Sequence, residues 1–248
     1  MALFSSSKRA HASQPPAIDT RLQPLTQGCL ADPKLARYLA SDEAFHCFRA
    51  LDSELLLELG EREFQVMVTS VSAAEGRSTV SLVLAALSAA YASDQRVLYV
   101  DASDSHAHTR RLFGDAQEQP GLYDFMHGEA TFDSVLGATP LNNFHFVAAC
   151  SAKLGRKMFD PARFDAFLRE ARQRFERIVV DGPALETHRE ALSMARSVGN
   201  TLLVLRARRT PRARATLALR DLHGVGAKVL GSVLNDRVFP IPGSRPGR

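Results

Sequence analysis

Cysteine is scarce in this sequence. The three that occur, Cys29, Cys47 and Cys150, are too scattered for a disulfide framework or a metal knuckle. Such usage fits a reducing, cytosolic compartment. Long apolar runs are missing as well, since none reaches the ~18–20 residues that a membrane span needs. The opening Met1-Ala2-Leu3-Phe4-Ser5-Ser6-Ser7-Lys8-Arg9 also lacks the apolar core of a signal peptide. Contact with a membrane is therefore expected to run through a partner. Neither sign of charge dominates: 31 basic against 27 acidic side chains give a formal net charge of +4, which suits an acidic partner or a membrane surface without demanding one. His106 and His108 have no third ligand at usable spacing and read as loop histidines, not as a metal site. Tyrosine is absent from the residues after Asn235.

What is present is enough apolar material for one substantial core, 45% of 248 residues. Residues 1–32 carry Ser, Gln and Pro without apolar periodicity and are expected to be a disordered leader. A single domain over 33–236 follows. The last stretch, 237–248, holds Pro240, Pro242, Gly243, Pro246 and Gly247 and is expected to be a tail that cannot pack.

Within the domain, Asp42 is placed to cap a helix through Leu57, on which Phe45, Phe48, Leu51 and Leu55 recur at helical spacing. Apolar strands are expected over 65–69, 96–101, 143–148, 177–181, 201–205 and 228–234, and helices over 78–91, 160–175 and 210–223. A short helix closing at Gly128 follows the Pro120-Gly121 turn. Pro161 suits the first turn of its helix, and Thr210-Pro211 reads as a cap followed by a helix-opening proline. Strands apolar on both faces, alternating with helices, predict an α/β fold: a mainly parallel central sheet covered by helices on each side, in three layers. Ligands of such sheets bind at the carboxyl ends of the strands. Thr69, Asp101, Asp181 and Asn235 are all predicted strand ends and should converge on one edge.

The stretch from Val66 to Thr79 carries most of the chemistry. An apolar run, a small-residue turn ending Glu75-Gly76-Arg77-Ser78-Thr79 and a long apolar helix follow one another. That order is the strand, loop and helix of a P-loop, whose backbone N–H groups and helix N-terminus hold phosphates. Arg77, however, stands where the P-loop lysine belongs, and Ala73-Ala74 replace residues that let the backbone wrap a phosphate. If Ala74 must take a positive φ, the strain is ~1–2 kcal/mol.

These motifs, in this order, resemble the cytoplasmic kinase domain of bacterial tyrosine kinases (BY-kinases), which steer capsule and exopolysaccharide synthesis. The resemblance runs from about Asp42 to Asn235. Glu43-x-x-His46-x-x-Arg49 is similar to the family's oligomerisation helix, with one arginine replaced. The segment from Thr69 to Thr79 resembles its Walker A motif, and Val100-Asp101-Ala102-Ser103-Asp104-Ser105-His106, with the following Leu112-Phe113-Gly114, its Walker A′. The segments 121–129, 178–183 and 228–235 complete the match. The resemblance implies a P-loop NTPase-like fold, ATP or ADP with Mg²⁺ as cofactor, and Glu75, Gly76, Arg77, Ser78, Thr79 and Asn235 around the nucleotide. It implies Ser78, Asp101 and Asp181 at the metal, and Asp101 and Asp181 as the catalytic acids.

Departures from the family pattern bear on this chemistry. Ser103 replaces the second Walker A′ acid, and Asp104 lies one residue out of step. Arg77 keeps the charge but offers a planar fork in place of a compact ammonium. Losing one transition-state contact typically costs ~2.7–4 kcal/mol, about 10²–10³ in rate. The expectation is a degenerate BY-kinase-like protein of exopolysaccharide or capsule biosynthesis. It would be a regulatory or scaffold partner of a membrane polysaccharide co-polymerase or chain-length regulator, with lost or weak kinase activity. It is expected in the cytoplasm, held peripherally at the inner membrane by that partner, with homo-oligomerisation through the Glu43–Arg49 helix. An active ATP-binding tyrosine kinase or ATPase is the first alternative. A partitioning or division-site ATPase is the second, disfavoured because Ser72-Ala73-Ala74 occupies the place of that family's signature lysine. Arg206, Arg208, Arg209, Arg212, Arg214 and Arg220 read as a solvated face, and no nucleic acid is expected.

Overall fold

A computed structural model of the chain describes residues 20–28, 30, 32–60, 64–103, 119–149 and 158–236. In chain order its elements are α1 (Gln23–Gly28), α2 (Pro33–Leu39), α3 (Asp42–Leu59), β1 (Phe64–Ser70), α4 (Arg77–Tyr91), β2 (Val97–Asp101), α5 (Leu122–Met126), α6 (Phe132–Val135), β3 (Leu136–Ala138), β4 (Phe144–Val147), α7 (Pro161–Arg174), β5 (Arg177–Asp181), α8 (Glu190–Val198), β6 (Asn200–Arg206), α9 (Arg212–Gly224) and β7 (Lys228–Asn235). The strands form one seven-stranded sheet in the order β3-β4-β2-β5-β1-β6-β7. Every pairing is parallel except that of the short edge strand β3 with β4.

Side chains alternate between the two faces of a strand, and here both sets are apolar. Val66 and Val68 of β1, Val97 and Tyr99 of β2, Val179 of β5 and Leu202 and Val204 of β6 pack into one core with α1 to α4. Met67, Leu98, Val100, Ile178, Val180 and Leu203 pack into the other, under α5 to α9. The three layers follow directly. α4 is buried all round, from Val80 to Ala90. Its place between sheet and outer helices explains why its sequence shows no polar stripe.

Several expectations about element ends are corrected. Residues 20–28 are not part of a disordered leader: Leu22 and Leu25 are buried in the α1–α4 core. Two leucines three apart in one short helical turn are too brief a pattern to register as periodicity. The remaining leader, apart from residue 30 and residue 32, and the tail from 237 lie outside the described residues, as do His106, His108, Asp104 and 112–114. Ser41, not Asp42, caps α3, its hydroxyl accepting from the Ala44 N–H at 3.2 Å. On α3 it is Ala44, Phe48, Leu51 and Leu55 that are buried, while Phe45 is half-buried. Thr210 does not cap α9 either; Pro211 precedes that helix without a side-chain bond.

Arg177, the first residue of β5, joins the α3/α4 layer to the sheet. Its side chain is 4% exposed and donates from Nη1 to Asp52 of α3 at 2.6 Å and to Ser88 of α4 at 3.1 Å. The guanidinium also lies over the Phe64 ring, 4.6 Å from its centroid. Burial pushes the Asp52 carboxyl above its ordinary range, while the guanidinium pulls it back. Breaking a buried pair from one side strands the other charge. Arg177→Met should therefore lower stability by about 3 kcal/mol, read from urea denaturation at neutral pH. A loss under about 0.5 kcal/mol, the size expected of a surface substitution, would show that this buried arginine carries no such weight.

Candidate functional site

The carboxyl edge of the sheet is where the predicted residues meet. β2 and β5 run in register, with Asp101 beside Asp181, and both carboxylates are fully buried. The two-residue alternation that sends Tyr99 and Val179 into the α4 core puts these acids on that same face. Here the first turn of α4 begins. Thr69, near the end of β1, donates from Oγ1 to the Pro183 carbonyl at 2.6 Å, which ties β1 to the turn after β5.

Between β1 and α4 lies the turn expected to hold phosphate. Ala74 sits at φ 60 and Gly76 at φ 95, so the strain foreseen at Ala74 is present. Gly76 is the N-cap of α4 and supplies no side-chain bond to the first turn, which leaves the N–H groups there without a protein cap. Glycine is required for a second reason. A Cβ on Gly76 would stand 2.1 Å from Asn235 Nδ2.

Glu75 turns inward. Its carboxylate is 4% exposed, accepts from the Ser72 N–H at 3.1 Å and receives a short hydrogen bond from Thr210 Oγ1. The side chain of Glu75 thus braces the loop and does not face a ligand, a correction to its expected role. Asn235 behaves similarly: its amide donates to the Glu75 carbonyl at 2.9 Å, and its Oδ1 accepts from the Asp236 N–H. Arg206 completes the brace by donating to the Ala74 carbonyl at 3.2 Å and to the Asp236 carboxylate at 2.6 Å. It therefore leaves the solvated arginine face to which it was assigned. Arg208, Arg209, Arg212, Arg214 and Arg220 remain exposed, with Arg214 paired to Glu186 at 3.2 Å. None of this bracing was foreseen. Its one local signal is Glu75, a carboxylate in a turn otherwise made of small residues.

Arg77 is three-quarters or more buried and points at the strand-end acids, Nε lying 3.8 Å from Asp181 Oδ1. Tyr99 donates its hydroxyl to Asp181 Oδ2 at 3.2 Å. Burial pushes the Tyr99 phenol well above its ordinary pKa, and the carboxylates of Asp181 and Asp101 add to that, so it stays protonated and can only donate to the acid. Ser103, in place of the second Walker A′ acid, folds back on Asp101, its hydroxyl donating to Oδ1 at 2.5 Å and its N–H at 3.0 Å. Ser78 is half-buried and Thr79 exposed at the start of α4. Ser78 accepts a hydrogen bond at its carbonyl from Ser81 Oγ.

No family model matches the chain. Among curated proteins, tyrosine-protein kinase etk of Escherichia coli (strain K12) is 27% identical over 205 residues, 82% of this chain but 28% of that protein. Putative tyrosine-protein kinase CapB of Staphylococcus aureus is 26% identical over 190 residues, 76% of this chain and 82% of its own length. The solved kinase domain of Escherichia coli tyrosine kinase ETK superposes with a TM-score of 0.74 at 23% identity, covering 100% of this chain and 93% of that domain. The chain is thus similar in sequence and fold to bacterial tyrosine kinases of the BY-kinase type. Its fold is the P-loop NTPase-like one, and the turn at Ala73–Thr79 lies between β1 and α4 of that fold. The chain spans little more than a quarter of the length of the etk-type relatives.

The loop geometry sets a stability test. Ala74→Gly relieves a left-handed alanine and should raise stability by about 1 kcal/mol, seen as an upward shift of the thermal midpoint. Gly76→Ala should lower it by about 1–3 kcal/mol, since the added methyl meets Asn235. Equal midpoints for all three proteins would mean the loop relaxes freely.

Proposed function

We propose that this chain is a BY-kinase-like regulatory or scaffold protein of exopolysaccharide or capsule biosynthesis in which phosphotransfer has been lost. The observation that carries the reading is the pairing of Arg77 with Asp181. In the family pattern a lysine at this position serves the phosphates, and the acid serves the metal and the nucleophile. Here the substituted cation leans on the acid instead. Ser103 does the same to Asp101. Phosphoryl transfer is almost entirely positioning and charge stabilisation, so groups engaged with one another before substrate arrives are poorly placed to perform it.

The partner in this reading is a membrane polysaccharide co-polymerase or chain-length regulator. In this reading the contact is peripheral, at the cytoplasmic side of the inner membrane; among the described residues no helix is long and apolar enough to cross a membrane. Glu43, His46 and Arg49 lie exposed along α3, and Arg49 stacks over Phe45 with its guanidinium carbon 5.7 Å from the ring centroid. That face is available for self-association in the manner of the family's oligomerisation helix.

Incubation of the purified chain with ATP and Mg²⁺ should yield no phosphotyrosine by mass spectrometry. Stoichiometric phosphate on Tyr38, Tyr91, Tyr99 or Tyr123 would defeat the proposal and restore the reading as an active kinase.

A further inference from the structure

The fold family implies a divalent cation beside the phosphate loop, held by a P-loop hydroxyl and strand-end acids. The donor set of this chain does not fit that ion. Mg²⁺ at a phosphate site keeps several waters in near-octahedral geometry and is held through one or two carboxylates beside the phosphate oxygens. Asp181 instead faces a guanidinium at 3.8 Å and receives the Tyr99 hydroxyl at 3.2 Å. Asp101 receives both the hydroxyl and the N–H of Ser103 on one oxygen.

We infer that Arg77 is a built-in substitute for the divalent cation, so that a nucleoside di- or triphosphate binds at this loop without Mg²⁺. The inference rests on the reading of the site as a phosphate cradle that no longer performs transfer.

Three features of the site support it. The positive charge beside the Walker acids is supplied by the protein itself, in the guanidinium of Arg77. A second, divalent positive charge brought to the same carboxylate would be repelled by that guanidinium. The part of the site that meets phosphate is intact. Gly76 opens α4 with no side chain capping the first turn, and Glu75, Thr210, Asn235 and Arg206 hold the loop in its phosphate-wrapping shape. Helix N-termini of this kind attract anions through aligned N–H groups and the macrodipole. Guanidinium also matches phosphate oxygens in a planar fork.

Isothermal calorimetry with ADP decides the matter, run on the full chain once in EDTA and once in excess Mg²⁺. The expected result is binding in both, with dissociation constants within about threefold. Arg77→Lys returns the family's cation to the loop and frees Asp181, and should tighten ADP at least tenfold when Mg²⁺ is added. Its circular dichroism spectrum and thermal midpoint confirm that it folds. Tenfold tightening by Mg²⁺ in the unmutated chain overturns the inference. So does an absence of ADP binding in both buffers, although that result leaves the loss of phosphotransfer standing. An Arg77→Lys protein that binds but still ignores Mg²⁺ overturns the role given to Arg77.

Discussion

Register in a strand buried on both faces has no slack, and the site rests on that constraint. Slipping β2 by one residue against β5 would turn Val97 and Tyr99 from the α4 core toward the opposite helices and carry Leu98 and Val100 the other way. Both cores would have to repack at once. With register held, Asp101 and Asp181 have no choice but to be neighbours at the ends of their strands. The first turn of α4, itself wedged into the same core, has no choice but to face them. The proximity of the acids to the loop is thus secured by packing that lies one or two turns below it.

The loop above that edge is held by groups from far along the chain. Thr210 and Arg206 come from the end of β6 and the turn after it, and Asn235 from the end of β7, yet they bond to Glu75 and Ala74. A turn containing a left-handed alanine is strained relative to one with glycine there, and such strain persists only where surrounding contacts over-determine the shape. The four bracing side chains are that surrounding structure.

Exchange of lysine for arginine changes more than the size of a cation. An ammonium on a flexible stem can swing between phosphate oxygens, whereas a guanidinium is wide, planar and less strongly hydrated. It tolerates a dry position beside a buried carboxylate. Together with Ser103, which hydrogen-bonds to Asp101, this places groups of the protein itself beside both strand-end acids.

Much of this was legible in the residue order. Apolar runs of five to seven residues bounded by turns, four of them ending at Thr69, Asp101, Asp181 or just before Asn235, announced parallel strands and the edge where their ends meet. The small-residue turn before an all-apolar helix announced the phosphate loop. What could not be read was either too short or too distant. Leu22 and Leu25 make a single turn of pattern, and α8 was passed over because Glu190–Val198 is brief and follows a turn. The inward turn of Glu75 depends on Thr210, whose nearest local reading was a helix cap. By itself, then, the sequence determined the layers, the register and the identity of the residues at the mouth of the sheet, because hydrophobic periodicity is written locally. Only the tertiary structure decided which way Glu75, Arg77 and Arg206 point, because a charged side chain settles beside the carboxylate or carbonyl that the fold brings within reach, and those partners lie scores of residues away.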